Sequence, residues 1–367
     1  MMNKKALFIW FKRYTGILEG GGLVNVRNFT LAQQVLGPDN VDSFYVHDEA
    51  HPRSLFKAAY SALLFPFGYF NGMTPAMLRE IVRKAQNYDY VFINTSIFGI
   101  VAKRLKETGY KGTIIAHFHN VESIYYNSYI SKNFPFRNII INCAYRNDGY
   151  CMKYADRIIT LNTRDCNLLC SMYDGRKADF ILPISINDNL DKSRVSPSEK
   201  TSSRPKCAFI GSSFNANNEG ILWFVRNVLP HVDIEFVIVG KGMAKFKAEK
   251  PELSNITVIS DVPEIAPYYY DADFLIMPIF AGSGMKVKTC EALMYGKNIL
   301  GSNESFEGYD IDAAKVGGRC NTAEEYISML KHYSHTPITR YNSYSRSYYE
   351  KRHSPDILLE SFRNIFS

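Results

Sequence analysis

The chain has 367 residues, which is more than one hydrophobic core usually organises and suits two domains of roughly 150–200 residues each. A hydrophobic content of 46% and a charged content of 22% are those of a globular protein and exclude an intrinsically disordered one. The net charge of +7 is uneven, because residues 1–200 hold 25 Lys and Arg against 17 Asp and Glu. This half could face an anionic partner such as a lipid phosphate or a membrane surface, or be a merely solvated basic surface.

Several further classes of protein are not expected. No apolar stretch reaches the roughly 18 residues of a membrane-spanning helix, and the N-terminal apolar run is too short for a signal peptide. The seven cysteines form no CxxC pair and no metal-ligand cluster, which favours reduced thiols in a cytoplasmic protein. The basic residues match no known nucleic-acid motif, so no nucleic-acid partner is expected. Peripheral contact with the inner face of a membrane is left open.

Strand-like and helix-like segments alternate along the whole chain, in an order that predicts parallel sheets covered by helices on both faces. The predicted strands of the first half are residues 5–10, 41–46, 90–94, 113–117 and 157–161. Those of the second half are residues 206–210, 234–239, 256–259, 274–277 and 298–301. The predicted helices with the clearest patterns are 24–36, 219–228, 265–270 and 285–295.

The alternation stops between residues 186 and 204, where the sequence is polar and rich in Ser and Lys. We therefore predict two Rossmann-like α/β domains facing a cleft. The first covers residues 1–190 and the second covers 205–345, with a linker at 191–204. The last segment, 346–367, is predicted to be a helical tail that could pack back on the first domain.

The strongest local pattern is a strand, a small-residue loop and a helix within residues 276–300. Glycines at the carboxyl end of a strand let a phosphate approach the backbone, and the N-terminus of the following helix favours negative charge. Lys286 and Lys288 lie in the first turn of the predicted helix, where lysine opposes the helix dipole unless an anion is bound. Glu291 follows one turn later and could accept hydrogen bonds from a ribose diol. This pattern predicts a diphosphate site; the alternative is an ordinary turn with solvated lysines.

The same residues resemble the retaining glycosyltransferases of family 4, which have the GT-B fold. Residues 278–296 match the variant P-x-x-x-G-S-G-x-[KR]-x-K-x-x-E-A-[LM]-x-x-G throughout. Residues 209–230 resemble the first strand, loop and helix of the donor domain, and 237–243 resemble a strand that ends in Gly-[KR]-Gly. Residues 261–278 resemble the segment that lines the nucleobase pocket, and 305–310 match the loop after the following strand.

The resemblance implies transfer of a glycosyl group from a nucleoside diphosphate sugar to an acceptor hydroxyl, with retention and without a metal. Lys288 would neutralise the leaving diphosphate, and Glu291 would bind the ribose. Ser283 stands where many relatives have an acid that contacts the donor sugar. The Arg and Lys common after the first donor-domain strand are missing from residues 211–218. The donor-binding residues of the second half would be Ser212, Lys241, Gly242, Val262, Gly282, Ser283, Gly284, Met285, Lys286 and Glu291.

The first half resembles the family more loosely. Gly21 and Gly22 belong to a glycine run that resembles the loop beneath the donor phosphates, although a triple glycine is as often just a flexible turn. HFHNVESIYY, residues 117–126, resembles the His-Asn-[VI]-Glu segment. By that match His119 would be catalytic and contact the donor sugar, and Glu122 would organise the loop. His117 is expected to be a packed or hydrogen-bonded partner.

Two questions stay open at this stage. Residues 54–70 are the most apolar run, and they predict either a buried helix broken at Pro66 or an amphipathic surface that touches a lipid-linked acceptor or the membrane. The chain itself is predicted to be a transferase in the synthesis of a cell-surface polysaccharide or glycan. The alternative is a GT-B-shaped accessory subunit that binds a partner transferase or a glycan without catalysis.

Overall fold

The computed structural model describes residues 4–13, 21–47, 55–196 and 198–367. The chain divides into two compact units, one formed by Met1–Ser185 with Pro355–Ser367 and the other by Ile186–Ser354. Our predicted domains end at different residues: the predicted linker 191–204 lies within the second unit, and the predicted tail is split at Ser354. No helix in the described ranges is both long enough and apolar enough to cross a membrane.

The first unit contains six strands and seven consecutive helices within the described residues. The strands are β1 (Ala6–Lys12), β2 (Val41–His47), β3 (Tyr90–Ile93), β4 (Thr113–Phe118), β5 (Arg157–Thr160) and β6 (Phe180–Ile181). The helices are α1 (Gly21–Leu36), α2 (Leu55–Leu64), α3 (Pro75–Ala85), α4 (Gly99–Glu107), α5 (Glu122–Tyr129), α6 (Arg137–Tyr154) and α7 (Thr163–Met172). Short 3-10 helices cover Pro38–Asn40, Phe65–Phe67 and Ser96–Phe98.

The second unit repeats this scheme, and the last helix of the chain returns to the first unit. The strands are β7 (Lys206–Ile210), β8 (Glu235–Gly240), β9 (Thr257–Ser260), β10 (Phe274–Met277), β11 (Asn298–Gly301) and β12 (Gly317–Arg319). The helices are α8 (Asn215–Asn227), α9 (Met243–Ala248), α10 (Ala266–Asp271), α11 (Val287–Met294), α12 (Ala313–Val316), α13 (Ala323–His335) and α14 (Ser343–Arg352), followed in the first unit by α15 (Pro355–Ile365). Short 3-10 helices cover Lys192–Arg194, Leu229–His231, Pro251–Leu253 and Glu304–Phe306.

The sheet of the first unit is parallel, with the strand order β2-β1-β3-β4-β5-β6. Strand β1 alternates its side chains between two apolar cores, because successive residues of a strand point to opposite faces. Leu7 and Ile9 belong to the core that α3, α4 and α6 cover. Phe8 and Trp10 belong to the other core, which α1 and α15 cover. Burial on both faces explains why β1 reads as a continuous apolar run.

The sheet of the second unit is also parallel, with the order β12-β11-β10-β7-β8-β9. Its described core contains side chains of β7, β8 and β10 together with α8 and α13. In both units the chain first builds the sheet outward from one strand and then continues on that strand's other side. The reversals lie between β1 and β3 and between β7 and β10. Such a reversal opens a crevice at the carboxyl ends of the strands.

One aspartate device recurs at the opposite, amino edge of both sheets. Asp89, Asp156, Asp179 and Asp273 each directly precede a strand and accept the backbone N–H at the start of the neighbouring strand, at 2.7–2.8 Å. We had interpreted Asp156 as a helix cap, and this is wrong, because its carboxylate binds the Ile114 amide and the Lys106 ammonium.

The apolar run at residues 54–70 forms α2 and a 3-10 helix that contains Pro66, as predicted, but Ser54 lies outside the described residues. The expectation of a buried helix is wrong for its described end, because Leu63 is 72% exposed and Phe67 is 67% exposed. Two short strands, β6 and β12, were not predicted. Glycines dominate β12 and β6 has only two residues, so neither carries an apolar pattern.

Candidate functional site

The loops that follow β7 and β10 flank the crevice of the second unit. Because all the strands are parallel, the loops after β8, β9 and β11 emerge at the same edge. The sequence-predicted donor residues of the second half lie in these loops and on α11. This edge is therefore the candidate site of the second unit, at the position where parallel α/β sheets bind ligands.

The loop after β10 is a built structure. Gly282 and Gly284 have φ angles of 154° and 64°, which side chains with a Cβ rarely adopt. Tyr309 donates from its hydroxyl to the carbonyl of Lys286 at 2.7 Å, and Thr289 donates to the carbonyl of Ser305 at 2.7 Å. The loop at residues 302–309 thus fixes both the loop after β10 and the start of α11.

Lys286 holds this loop together. Its ammonium donates to Glu304 Oε1 at 2.6 Å and to the carbonyl of Gly284 at 3.0 Å. The residue lies at the N-cap of α11, outside the helix, because α11 begins at Val287 and not at Met285 as we predicted. The expectation that Lys286 stands in the first turn is therefore wrong. Its positive charge is already bound by a carboxylate within the protein.

Lys288 extends from α11 towards the loop after β7. It donates to Asn217 Oδ1, and its ammonium lies 4.7 Å from the centroid of the Phe209 ring. A Cβ added to Gly211 would lie 3.2 Å from the Lys288 Nζ atom, which places this ammonium beside the β7 turn. Burial, and secondarily the Lys286 charge, lower the pKa of Lys288 to about 7, while Glu291 acts in the opposite direction.

Glu291 lies one turn after Lys288 on α11. Tyr269, which is fully buried, donates its hydroxyl to Glu291 Oε2 at 3.1 Å. The Tyr269 ring stacks on Tyr295 with a centroid distance of 4.5 Å. Burial and the nearby Glu291 raise the pKa of Tyr269 well above its usual value, so this hydroxyl keeps its proton and directs one carboxylate oxygen.

The turns after β7, β8 and β9 are tied to one another. Ser213 N–H donates to the carbonyl of Lys241 at 2.8 Å, and Gly242 N–H donates to Asp261 Oδ1 at 3.2 Å. Ser212, Lys241, Gly242 and Val262 occupy these turns. At Gly240 (φ 154°) an added Cβ would lie 2.0 Å from the Gly211 carbonyl oxygen, so only glycine permits this approach of β8 to the β7 turn.

The first unit brings the two histidines together in a buried polar network. His117 is the fifth residue of β4, and His119 follows the strand, with the two ring centroids 4.6 Å apart. Asn28 donates to His117 Nδ1 at 2.8 Å and to Asn94 Oδ1 at 3.0 Å. Arg27 donates twice to Asn28 Oδ1, at 2.7 and 3.1 Å, which fixes the amide orientation. The proton of the neutral His117 ring is therefore on Nε2.

Both imidazoles are held neutral. Burial, and then the charge of Arg27, lower the pKa of His119 to about 3, while a hydrogen bond to the backbone of Asn94 opposes them. Burial lowers the pKa of His117 well below its usual value, as do the charges of His119 and Arg27. His119 is thus a hydrogen-bonding group and not a cation at neutral pH.

Gly21 and Gly22 form the first turn of α1, beside this network, whereas Glu19 and Gly20 lie outside the described residues. A Cβ added to Gly21 would lie 3.4 Å from His119 Nδ1. This contact places His119 at the N-terminus of a 16-residue helix, where backbone N–H groups and the helix dipole favour an anion.

Glu122, the first residue of α5, forms a buried carboxyl pair with Asp148 of α6. Burial and then the Asp148 charge raise the pKa of Glu122 to about 8, and burial raises that of Asp148 to about 7. Asp148 accepts from Ser96 Oγ at 2.8 Å and from the Ser123 amide at 3.2 Å. The pair joins α5, α6 and the 3-10 helix at Ser96–Phe98 directly behind His119.

Four polar residues of these networks were missed in the sequence. They are Arg27, Asn28, Asn94 and Asn217. Asn94 and Asn217 each follow a strand at the carboxyl edge, which is where a polar residue could have been sought. Arg27 and Asn28 lie on an otherwise apolar face of α1, an irregularity that the pattern of α1 does show. Within the described ranges no group of three or more His, Cys, Asp or Glu side chains could hold a metal ion.

Comparison with known proteins assigns the second unit and the fold. Residues 204–317 match the family model of glycosyl transferases group 1. HepE from Anabaena, in complex with UDP-glucose, superposes with a TM-score of 0.66 at 12% identity, covering 99% of each chain. Sucrose-phosphate synthase from Thermosynechococcus elongatus gives 0.69 at 12%, covering 99% of this chain and 98% of that one. The lipopolysaccharide outer core galactosyltransferase WaaB, in its apo form, gives 0.65 at 15%, covering 99% of each chain.

A comparison with curated protein sequences gives no match. The structural neighbours are GT-B glycosyltransferases, and two parallel six-stranded α/β units are the architecture that we predicted. This chain has the GT-B fold, and its residues 204–317 form a domain of the glycosyl transferases group 1 type.

Proposed function

We propose that this protein is a retaining, metal-independent glycosyltransferase that moves a sugar from a nucleoside diphosphate sugar to an acceptor hydroxyl. The observation that carries the proposal is the reach of Lys288 across the β7–β10 crevice to Asn217, beside the glycine loop at residues 282–284. The group 1 match over residues 204–317 supports it, and so does the fold shared with a protein crystallised with UDP-glucose.

In this proposal the diphosphate lies between the loop after β10, the first turn of α11 and Lys288. Amides of Gly282, Ser283, Gly284 and Met285 bind phosphate and sugar oxygens, and the helix N-terminus adds its dipole. Ser212, Lys241, Gly242 and Val262 complete the nucleotide site from the neighbouring turns. Glu291, oriented by Tyr269, binds the ribose. Lys286 supports the loop instead of facing the diphosphate, because Glu304 already binds its charge.

Catalysis then consists mainly of stabilising the departing diphosphate with these preorganised donors. His119, together with Gly21 and Gly22, forms the candidate sugar-binding part of the first unit. Because its pKa is lowered to about 3, His119 acts as a neutral hydrogen-bonding partner of a sugar hydroxyl. The acceptor is a glycan or a lipid-linked sugar, as in the synthesis of a cell-surface polysaccharide. The similarity to an outer core galactosyltransferase supports this acceptor class and a cytoplasmic location.

The test begins with a thermal-shift screen of UDP-, GDP- and ADP-linked sugars, since a ligand that binds the folded state raises the melting temperature. Calorimetric titration of Glu291→Ala with the best ligand should show no heat of binding. Glu235→Ala is the matched control, because Glu235 is an exposed glutamate at the amino end of β8. Normal binding by Glu291→Ala would show that the ribose assignment is wrong.

The accessory-subunit alternative is decided by turnover. A transferase slowly hydrolyses its nucleotide sugar when no acceptor is present, so the purified chain should release nucleoside diphosphate. Binding without any release, under conditions where Lys288→Met binds as well as the wild type, would favour the accessory role.

A further inference from the structure

Large apolar side chains are exposed on one side of the first unit. Leu63 of α2 is 72% exposed, Phe67 of the following 3-10 helix is 67% exposed, and Phe136 before α6 is 57% exposed. Phe134 and Tyr129 are exposed to nearly half. We call these residues, with the cavity between them, the apolar patch. A globular protein exposes single apolar residues often, but a contiguous group marks an interaction site.

The apolar patch is continuous because a cavity joins its two halves. The cavity has a volume of about 310 Å³ and is lined mainly by aromatic side chains, including Phe65 and Phe70 from one half and Tyr126, Tyr129 and Phe134 from the other. The rings contact one another across it, with centroids 5.5 Å apart for Phe65 and Phe70 and 5.0 Å apart for Phe70 and Tyr126. Arg146 of α6 donates to the Pro66 carbonyl and holds the two halves together.

The charges around the patch are of one sign. Neither residues 55–79 nor residues 123–147, the two segments that build it, contain an Asp or Glu. They contain the exposed Lys132 and Arg146, and the half-buried Arg137. A second copy of this chain would place these like charges against each other, whereas an anionic surface would neutralise them. Leu63 and Ile139, also exposed, offer a glycan no hydrogen bond.

We propose that the apolar patch docks the protein on the surface of a bilayer that contains anionic phospholipids. Leu63, Phe67 and Phe136 enter the boundary between head groups and acyl chains, and the cavity accepts an acyl chain. Lys132 and Arg146 stay at the level of the lipid phosphates. An interfacial element of this type gains affinity from buried apolar area and from attraction to anionic lipid together, and it spans nothing.

The experiment is flotation of the full chain with vesicles of phosphatidylcholine, with and without phosphatidylglycerol. The double variant Leu63→Ser/Phe67→Ser should lower the partition coefficient by at least about tenfold, since burying one such side chain contributes ~1.5–3 kcal/mol. Lys132→Glu should lower it by about fivefold or more, as expected for the loss of one basic residue near the surface. The matched controls are Ile181→Ser/Ile357→Ser and Lys111→Glu, which change exposed residues of the same unit outside the patch.

The proposal is supported if the wild type and both controls bind vesicles with phosphatidylglycerol and the patch variants lose this binding. Circular dichroism and melting temperatures of all variants separate this loss from misfolding, and exposed positions should leave both unchanged. Equal binding by patch and control variants overturns the proposal, as does binding that ignores phosphatidylglycerol. A dimer in light scattering that Leu63→Ser/Phe67→Ser converts to monomer also overturns it, because the patch would then be covered by a second copy.

Discussion

Donor binding should weaken as the pH rises through neutrality, because Lys288 must be protonated to bind a diphosphate. Its pKa in the free protein is about 7, lowered by burial and by Lys286. A bound diphosphate lies beside the ammonium and stabilises its charged form, which raises the pKa in the complex. Binding therefore takes up a proton, and affinity is highest below pH 7. It is lost progressively above pH 7, until the pKa of the complex is reached.

The size of the effect follows from the pKa. With a pKa near 7, Lys288 is about half protonated at pH 7 and about one-tenth protonated at pH 8. The dissociation constant should rise roughly tenfold between pH 6 and pH 8, and close to one proton should be taken up per donor at pH 8. A nucleotide sugar is the right ligand, because its two phosphates are both esterified and do not titrate in this range.

The assay is calorimetric titration at several pH values, in pairs of buffers with different ionisation enthalpies, which reports proton uptake directly. Lys288→Arg keeps a permanent positive charge, so its affinity should not vary with pH over this range and its proton uptake should vanish. Lys245→Arg, an exposed lysine of α9, is the control and should behave as the wild type. If Lys288→Arg keeps the pH dependence of the wild type, another group titrates and our interpretation of Lys288 is refuted.

Three further predictions test the supporting networks. Asn28→Asp should move the His117 proton from Nε2 to Nδ1, because the new carboxylate accepts where the amide donated; imidazole ¹⁵N shifts report the tautomer. The first unit should be less stable towards urea at pH 8 than at pH 5.5, since the raised carboxyl pKa of Glu122 favours the folded state below its unfolded value and is lost as pH rises towards 8; Glu122→Gln should reduce this slope. Gly240→Ala should lower the melting temperature and weaken donor binding, because its Cβ would overlap the Gly211 carbonyl oxygen; normal values of both would contradict the close approach.

The order of elements was predictable because the pattern of apolar runs is strong. Strands β7, β10 and β11 have the bounds that the sequence predicted, since each is a buried run that ends at a loop. The start of α11 was predicted two residues early. Gly284 and Lys286 take non-helical backbone angles that are set by contacts with residues 304–309, and these contacts join segments about twenty residues apart.

The polar networks could not be predicted for a related reason. Asn28 matters because α1 places it between Arg27, Asn94 and His117, and only the packing of α1 on β3 and β4 makes these residues neighbours. The exposure of Leu63 and Phe67 was equally hidden. An apolar run shows that a segment avoids water, but it does not show whether the protein covers that segment.

The lysine pair shows how one motif can carry two different tasks. In the sequence Lys286 and Lys288 are equivalent positive charges at a helix start. In the structure Glu304 binds Lys286, so this lysine shapes the loop, while its ammonium still lowers the pKa of Lys288. The loop that positions the diphosphate amides therefore also keeps Lys288 ready to gain a proton. It follows that Glu304→Gln, which leaves the Lys286 charge uncompensated, should lower the pKa of Lys288 further and shift the pH dependence of donor binding to lower pH. An unchanged pH profile in Glu304→Gln would mean that the two lysines are not coupled.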